Sequence, residues 1–107
     1  MAHTNWQNQN LVIRDTGGKQ RFELGEGDEI RFIEFIQNNQ NIIFLTHTEV
    51  PRSLEGKGLG SLIVSKTLEY IRNAGHKMAP LCPFVAAYLK KHPEDGSGIL
   101  APGYSIS

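Results

Sequence analysis

Residues 50–61 read Val50-Pro-Arg-Ser-Leu-Glu-Gly-Lys-Gly-Leu-Gly-Ser61, and the pattern of the chain changes across them. Before this stretch, β-branched and aromatic residues are frequent, which is typical of strands. After it, apolar residues recur with the period of a helix. Pro51 has no N–H with which to continue strand pairing, so the stretch predicts a loop between a strand and a helix.

The helix after this loop is predicted from Leu59 to about Ala74. Gly75 is a natural residue for its end, because glycine readily adopts the left-handed conformation there. On a helical wheel one half is apolar, and Leu62 is the apolar exception on the other half. The apolar half holds Leu59, Gly60, Ile63, Val64, Thr67, Leu68, Tyr70 and Ile71.

Four strands are predicted before the loop, with short turns between them. Gly17-Gly18 separates the first two strands and is a tight-hairpin signal, because the primed hairpin turns need positive φ. Since strands joined by such turns pair side by side, an antiparallel sheet is expected. The predicted strands are Leu11–Thr16, Lys19–Leu24, Asp28–Ile36 and Ile42–Val50.

Two further elements are predicted after the helix. His76–Cys82 is expected to form a short strand, and Pro80 places it at a sheet edge or at a splayed point. Pro83–Lys91 is expected to form a helix, with Pro83 in the first turn, where a missing N–H costs nothing. The order β-β-β-β-α-β-α predicts a compact α+β fold in which the strands flanking the first helix run parallel.

The chain has 107 residues, which is enough for one domain with one core. We expect residues 1–10 to form a flexible N-terminal segment and residues 11–94 to form the domain. Residues 95–107 are rich in turn residues and have no period. They are predicted to be an irregular tail that is either a loose cover or disordered.

Lys and Arg together number 11, as do Asp and Glu, so the formal net charge is zero. Neither nucleic acid nor a membrane is expected as a partner, because the chain has no long-range positive field and no apolar run of about 20 residues. Cys82 is the single cysteine, which excludes an internal disulfide and suits a cytoplasmic location. The four histidines and this cysteine have no metal-ligand spacing, so no metal is predicted.

The loop is a candidate anion site, because the first turn of a helix carries unpaired N–H groups and a partial positive charge. Gly56, Gly58 and Gly60 allow the backbone to approach a phosphate closely, and Lys57 adds a cation. The alternative is a glycine-rich turn that only starts the helix. A Walker loop needs Ser or Thr after its Lys, and a dinucleotide fingerprint needs G-x-G-x-x-G, so both fit poorly.

The loop resembles a motif of the GNAT superfamily of N-acetyltransferases, in which a strand ending in Val precedes [Arg/Gln]-x-x-Gly-x-[Gly/Ala] at a helix start. The corresponding residues are Val50-Pro51 and Glu55-Gly56-Lys57-Gly58-Leu59-Gly60. Thr46-His-Thr-Glu-Val-Pro51 and Pro80-Leu-Cys-Pro-Phe84, followed by His92-Pro93, resemble segments of a compact, single-domain bacterial branch of these proteins. The resemblance covers roughly residues 11–94.

The resemblance implies acetyl-CoA as cosubstrate and transfer of an acetyl group to an amine. Glu55 stands where the family usually has Arg or Gln, and its carboxylate is expected to weaken cofactor binding. His92 has the alternative role of only capping the second helix. The implied cofactor contacts are Val50, Glu55, Gly56, Lys57, Gly58, Leu59, Gly60, Ser61, Phe84 and His92.

The resemblance also implies that the fourth and fifth strands splay apart, here at Phe44–Val50 and Met78–Cys82. Free N–H groups of the fourth strand would then polarise the thioester carbonyl.

His47 and Glu49 lie two residues apart on the predicted fourth strand and therefore share a face, while Thr46, Thr48 and Val50 would share the other. Either His47 or Glu49 can accept the proton of the amine. The alternative is that both are solvent-facing residues of a half-exposed strand.

Cys82 and Tyr88 are the other catalytic candidates. Cys82 precedes the second helix, whose N-terminus favours a thiolate, so it is a candidate nucleophile that carries the acetyl group; the alternative is a small buried residue lining the acyl pocket. Tyr88 lies where many members of the superfamily have a tyrosine that protonates the CoA thiolate, with a packed aromatic as the alternative.

Three functions follow from these residues. The first is an acetyl-CoA-dependent N-acetyltransferase, and the second is a CoA-binding or protein-interaction module without catalysis, which Glu55 and the small size favour. The third is an acyl carrier that uses Cys82. The acceptor is unidentified; a domain this small has little structure for a deep second pocket, which favours an exposed amine on a protein or a small molecule.

Overall fold

The computed structural model describes residues 10–54, 56 and 58–106. The predictions made for residues 1–9, Glu55, Lys57 and Ser107 lie outside the described residues. The predicted α+β class and the order β-β-β-β-α-β-α are confirmed. The elements are β1 (Val12–Thr16), β2 (Lys19–Leu24), β3 (Arg31–Gln37), β4 (Ile42–Glu49), α1 (Leu59–Asn73), β5 (Lys77–Pro80) and α2 (Pro83–Lys91).

The five strands form one sheet in the order β1-β2-β3-β4-β5. The first four strands pair antiparallel through their hairpin turns, as predicted. β4 and β5 flank α1 and pair parallel, with Leu45 opposite Pro80 at the end of the pairing. Pro80 therefore lies on an edge strand, where its missing N–H removes no ladder hydrogen bond.

β3 begins three residues later than predicted. A 3₁₀ helix at Gly27–Glu29 takes the positions that were assigned to the start of the strand. Arg31, the first residue of β3, is fully buried and donates a hydrogen bond of 3.1 Å to the carbonyl oxygen of Glu29. Gly25 has a φ of 100°, and a Cβ there would lie 2.6 Å from the same oxygen. The tightness of this turn explains why pairing with β2 starts at Arg31.

β4 contains a bulge that the sequence pattern did not predict. Leu45 lies opposite Phe35 of β3, but Thr48 lies opposite Ile33, so the pairing register shifts at Thr46. Residues directly opposite in a ladder share a face, and both partners on β3 are buried, so Leu45 and Thr48 face the core although they are three residues apart. The strict alternation that put Thr46 on the face of Thr48 is therefore wrong.

The core lies between the sheet and the two helices, which also contact each other. α1 buries the predicted residues except Tyr70, which is 38% exposed because it packs at the margin against Phe22. The end of α1 is a Schellman motif, in which the N–H of Gly75 bonds to Arg72 and the N–H of His76 bonds to Ile71. Among the described residues, no helix has the length and apolar character needed to cross a membrane.

Residues 95–106 pack against the edge of the sheet. Met78 donates its N–H to Ile99 at 2.7 Å and accepts the N–H of Ala101 at 2.8 Å, which adds one short bridge beside β5. Ile99 and Ala101 are buried. Arg72 of α1 donates to the carbonyl oxygens of Asp95 and Ser97. Ile99 and Ala101 of this segment are therefore part of the core.

Candidate functional site

An open cleft of about 490 Å³ lies between the end of β4 and the start of α1. It exists because β4 continues beyond the end of β5. Their pairing ends at Leu45, whose carbonyl oxygen accepts a hydrogen bond from the N–H of Cys82. After Cys82 the chain turns away from the sheet into α2. The described residues that line the cleft are Thr48, Glu49, Val50, Gly56, Gly58, Leu59, Gly60, Ser61 and Phe84.

The start of α1 lies at this cleft and carries backbone N–H groups for which the described residues provide no acceptor. Gly58 caps the helix and provides no side-chain hydrogen bond, and the first intrahelical bond runs from the N–H of Leu62 to Gly58 at 3.0 Å. For the N–H groups of Leu59, Gly60 and Ser61, no acceptor lies among the residues that the structure describes. The first turn has no acidic residue, so its partial positive charge is not neutralised from within the helix.

The three glycines of the loop have two different roles. Gly56 and Gly58 have φ values of 82° and 74°, and a Cβ on either would meet no described atom within 4 Å. They are therefore needed for the left-handed backbone, and open space lies in front of them. At Gly60 a Cβ would lie 2.5 Å from the ring of Phe84 and 3.2 Å from Val50. The space that a side chain would take at Gly60 is occupied by Phe84 and Val50, so packing requires a glycine here independently of any ligand.

Phe84 separates the cleft from a second hollow of about 170 Å³. The two spaces adjoin along the start of α1, because both are lined by Ser61 and Phe84, and together they are called the groove. The far end of the groove is cationic, because Lys91 and His92 lie there, although His92 is charged only when protonated. The hollow is lined by Ser61, Phe84, Ala87, Tyr88, Lys91 and His92.

His47 and Glu49 share a face of β4, as predicted from their spacing. The His47 Nε2 lies 2.9 Å from the Glu49 carboxylate, and the two side chains are 52% and 58% exposed. Glu49 lines the cleft, whereas His47 is not among the lining residues. The pair thus combines a carboxylate at the cleft with an imidazole behind it.

Cys82 lies behind the cleft wall and does not line the cleft. Its side chain is buried, and its thiol donates to the hydroxyl of Thr48 at 3.2 Å. Thr48 is a cleft residue that was not among the predicted site residues, although its predicted position on the face of Val50 was a usable signal. Cys82 immediately precedes α2, with Pro83 as the first helical residue, but makes no side-chain capping bond.

Tyr88 projects from α2 between the hollow and the turn that follows the helix. Its ring packs against His92 with a centroid distance of 4.6 Å, and its hydroxyl donates to the Asp95 carboxylate at 2.5 Å. Burial raises the pKa of Tyr88 above its ordinary value, and the hydrogen bond and negative charge of Asp95 raise it further. Asp95 was not predicted as a site residue, because the tail has no periodic pattern that would place it.

The structure thus gathers most of the predicted site around one groove. Val50, Gly56, Gly58, Leu59, Gly60, Ser61, Phe84 and Glu49 lie at the cleft, and Tyr88 and His92 lie at the adjoining hollow. His47 joins through its contact with Glu49, and Cys82 through Thr48. Within the described part of the chain, no group of three or more His, Cys, Asp or Glu side chains could hold a metal ion.

The sequence model of a family described as GCN5-related N-acetyl-transferase matches residues 21–97, which is well over half of the chain. The matched segment begins in β2 and ends in the tail just after the 3₁₀ helix Pro93–Gly96. It contains all the described residues that line the cleft and the hollow.

Proposed function

The chain belongs to the GCN5-related N-acetyltransferase family and is an acyltransferase, and on this premise we propose that it transfers the acetyl group of acetyl-CoA to an amine. The observation that carries the proposal is the cleft beside the start of α1. Three N–H groups of the first turn lie there, and none of them donates a hydrogen bond to a described residue. Because the net charge of the chain is zero, a polyanionic cofactor must be bound by such local donors.

The pyrophosphate of CoA is proposed to bind at the N–H groups of Leu59, Gly60 and Ser61. A helix N-terminus carries about half a positive elementary charge, and phosphate is the ligand that this arrangement favours. The cationic end of the groove at Lys91 and His92 suits the phosphorylated nucleotide half of the cofactor. Lys57 is proposed to add a further cation to the same loop.

The thioester is proposed to lie at the inner end of the cleft, where β4 extends past β5. The last pair of the β4–β5 ladder is Leu45 with Pro80, so the strand beyond it is free of a β5 partner. Backbone donors fixed in this position stabilise the oxyanion that forms when an amine attacks a thioester carbonyl. The bulge at Thr46 changes the direction of the strand at this point.

Glu49 and His47 are proposed to accept the proton of the attacking amine. The nitrogen forms a bond to the carbonyl carbon and loses its proton to the Glu49 carboxylate, directly or through water, with His47 as its hydrogen-bonded partner. The carbon–sulfur bond then breaks and CoA leaves as a thiolate. Tyr88 is proposed as the donor of the proton that this thiolate takes up.

Direct transfer is favoured over an acetyl-cysteine intermediate, because Cys82 is buried behind Thr48. Intact-mass spectrometry after incubation with acetyl-CoA should therefore show no acetylated protein. An adduct of one acetyl group that is lost in Cys82→Ala would instead support the covalent route.

A thermal-shift titration with acetyl-CoA and CoA tests the cofactor. A ligand present at 100 times its Kd stabilises the native state by about 2.7 kcal/mol, which raises Tm visibly in a protein of this size. No stabilisation at millimolar ligand would remove the basis of the proposal.

Turnover separates the enzyme from a module that binds CoA without catalysis. A panel of primary amines, including small polyamines and lysine-containing peptides, is incubated with acetyl-CoA, and free thiol release is measured. Steady release with at least one acceptor is the expected outcome. Stabilisation by CoA without release across the panel would favour the binding module. A cytoplasmic location, where acetyl-CoA is available, is part of the same proposal.

A further inference from the structure

The hydroxyl group of Tyr88 is held by Asp95 and not by the cleft. The phenol donates its proton to the carboxylate at 2.5 Å. Ser65 of α1 acts in the opposite direction to Asp95 and lowers the pKa of Tyr88. Tyr88 is nevertheless one of the residues that line the hollow beside the cleft. Asp95 lines neither the cleft nor the hollow, so the reactive atom of Tyr88 is engaged by a residue that lies outside the groove.

Asp95 lies on a segment that is fixed to the rest of the fold. It belongs to the 3₁₀ helix Pro93–Gly96, and its own carbonyl oxygen accepts a hydrogen bond of 3.0 Å from Arg72 of α1. A second hydrogen bond of 2.7 Å joins Arg72 to Ser97. The carboxylate is therefore placed by a braced turn and not by a free loop.

The charged groups around the phenol have opposing effects. Glu94, on the same turn as Asp95, adds negative charge, and Glu69 of α1 lines the space into which Asp95 projects. Lys91 and His92 of α2 lie on the groove side.

A phenolate formed at Tyr88 would adjoin the carboxylate of Asp95, so its formation is disfavoured where the hydroxyl now lies. The guanidinium of Arg72 is engaged with the backbone carbonyls of the same turn.

We propose that Asp95 is a positioning residue that keeps Tyr88 protonated and turned from the leaving thiolate until the Tyr88–Asp95 hydrogen bond is exchanged during the reaction. This inference rests on the proposed function. In the step itself, the O–H bond of Tyr88 breaks, the proton forms the S–H bond of CoA, and the phenolate recovers a proton from water. Asp95 touches neither substrate nor cofactor and acts only through Tyr88.

A spectrophotometric titration of tyrosine tests the coupling without any activity. The chain has three tyrosines. The ionisation that occurs at the highest pH in the unaltered protein should be absent from the titration of Tyr88→Phe. Asp95→Asn should move this last ionisation down by at least about one pH unit, towards the ordinary tyrosine value near 10. Glu94→Gln is the matched control, which removes a neighbouring charge but not the hydrogen bond and should move it less.

A last ionisation that persists in Tyr88→Phe would overturn the proposal, and this comparison does not depend on whether Asp95→Asn folds. An ionisation of Tyr88 that is unchanged in a folded Asp95→Asn would overturn it as well.

The pH profile of kcat distinguishes a positioning role from a merely structural one. At pH 7 the kcat of Asp95→Asn should be equal to or higher than that of the unaltered protein, because a phenol without an adjacent carboxylate is the stronger acid. Its kcat should then fall on the basic side at a lower pH than that of the unaltered protein, by about tenfold for each pH unit above the lowered pKa of Tyr88. Superimposable profiles would refute the proposal. Absence of turnover in every variant would refute the proposed function and not the coupling that the titration measures.

Discussion

Gly60 is the residue at which packing and the candidate site meet. Its lack of a side chain allows the ring of Phe84 and the side chain of Val50 to pack on the first turn of α1. These contacts form the wall between the cleft and the hollow, so the shape of the groove depends on the absence of a Cβ at Gly60. The glycine was predicted as a site residue, but its contact with Phe84 was not predictable, because the two residues are 24 positions apart (84 − 60).

Replacing Gly60 tests this packing. Gly60→Ala is expected to destabilise the protein, because an overpacking cost of about 1–3 kcal/mol exceeds the helix-propensity gain of about 1 kcal/mol. In a Phe84→Ala background the closest contact is gone, so the same substitution should cost at least about 1 kcal/mol less. Urea unfolding of the four proteins measures this difference. Equal costs in both backgrounds would show that Phe84 is not what Gly60 accommodates.

Glu49 is predicted to matter for chemistry and not for cofactor binding. Glu49→Gln should lower kcat by about 100-fold or more, the range expected for a lost general base, with little change in the KM for acetyl-CoA. Glu34→Gln is the matched control, because Glu34 lies opposite His47 on β3 but is paired with Arg21. Similar kinetics of the two variants would remove Glu49 from the reaction.

Helices and strands were predictable from sequence to the extent that local signals set them. Pro83–Lys91 was predicted with the bounds that the structure has, because Pro83 marks its start and His92-Pro93 its end. β3 was predicted to start too early, since Asp28 and Glu29 carry no signal that separates a 3₁₀ turn from a strand. The bulge at Thr46 depends on pairing with β3, and a single strand's pattern does not contain that register.

The packing of the tail against β5 and α2 was the least predictable part of the fold. Its only long-range signals are single apolar residues between turn residues, and a bridge to Met78 leaves no periodic trace. The Asp95–Tyr88 contact belongs to the same class, because it joins a helix to an irregular segment. Tertiary packing decides such contacts, and composition alone does not.

Ile99→Ala tests whether the tail is part of the core. The side chain is 4% exposed, so its truncation should cost about 2–5 kcal/mol of the free energy of unfolding. Ser97→Ala is the control in the same segment, where an exposed side chain should change stability by no more than about 0.5 kcal/mol. Chemical denaturation provides both values. Equal effects of the two substitutions would mean that the tail contributes little to the core.

At the scale of the whole molecule, the groove is assembled from elements that are distant in sequence. β4 supplies the carboxylate, the start of α1 supplies the backbone donors, and α2 supplies the aromatic wall and the cationic end. The parallel β4–α1–β5 crossover brings these parts together, because the end of β4 and the starts of both helices meet at one edge of the sheet. This crossover was predicted from sequence, and it is why most candidate residues were found together.

The most direct test of the account is a titration of ¹⁵N-labelled protein with CoA, followed through the amide resonances of Leu59, Gly60 and Ser61. We predict that these three N–H groups show the largest shifts and gain protection from solvent exchange, because they become hydrogen-bond donors to the pyrophosphate. Amides at the start of α1 that stay unmoved at saturating CoA, or that move no more than those of β1, would contradict the placement of the cofactor and with it the proposed function.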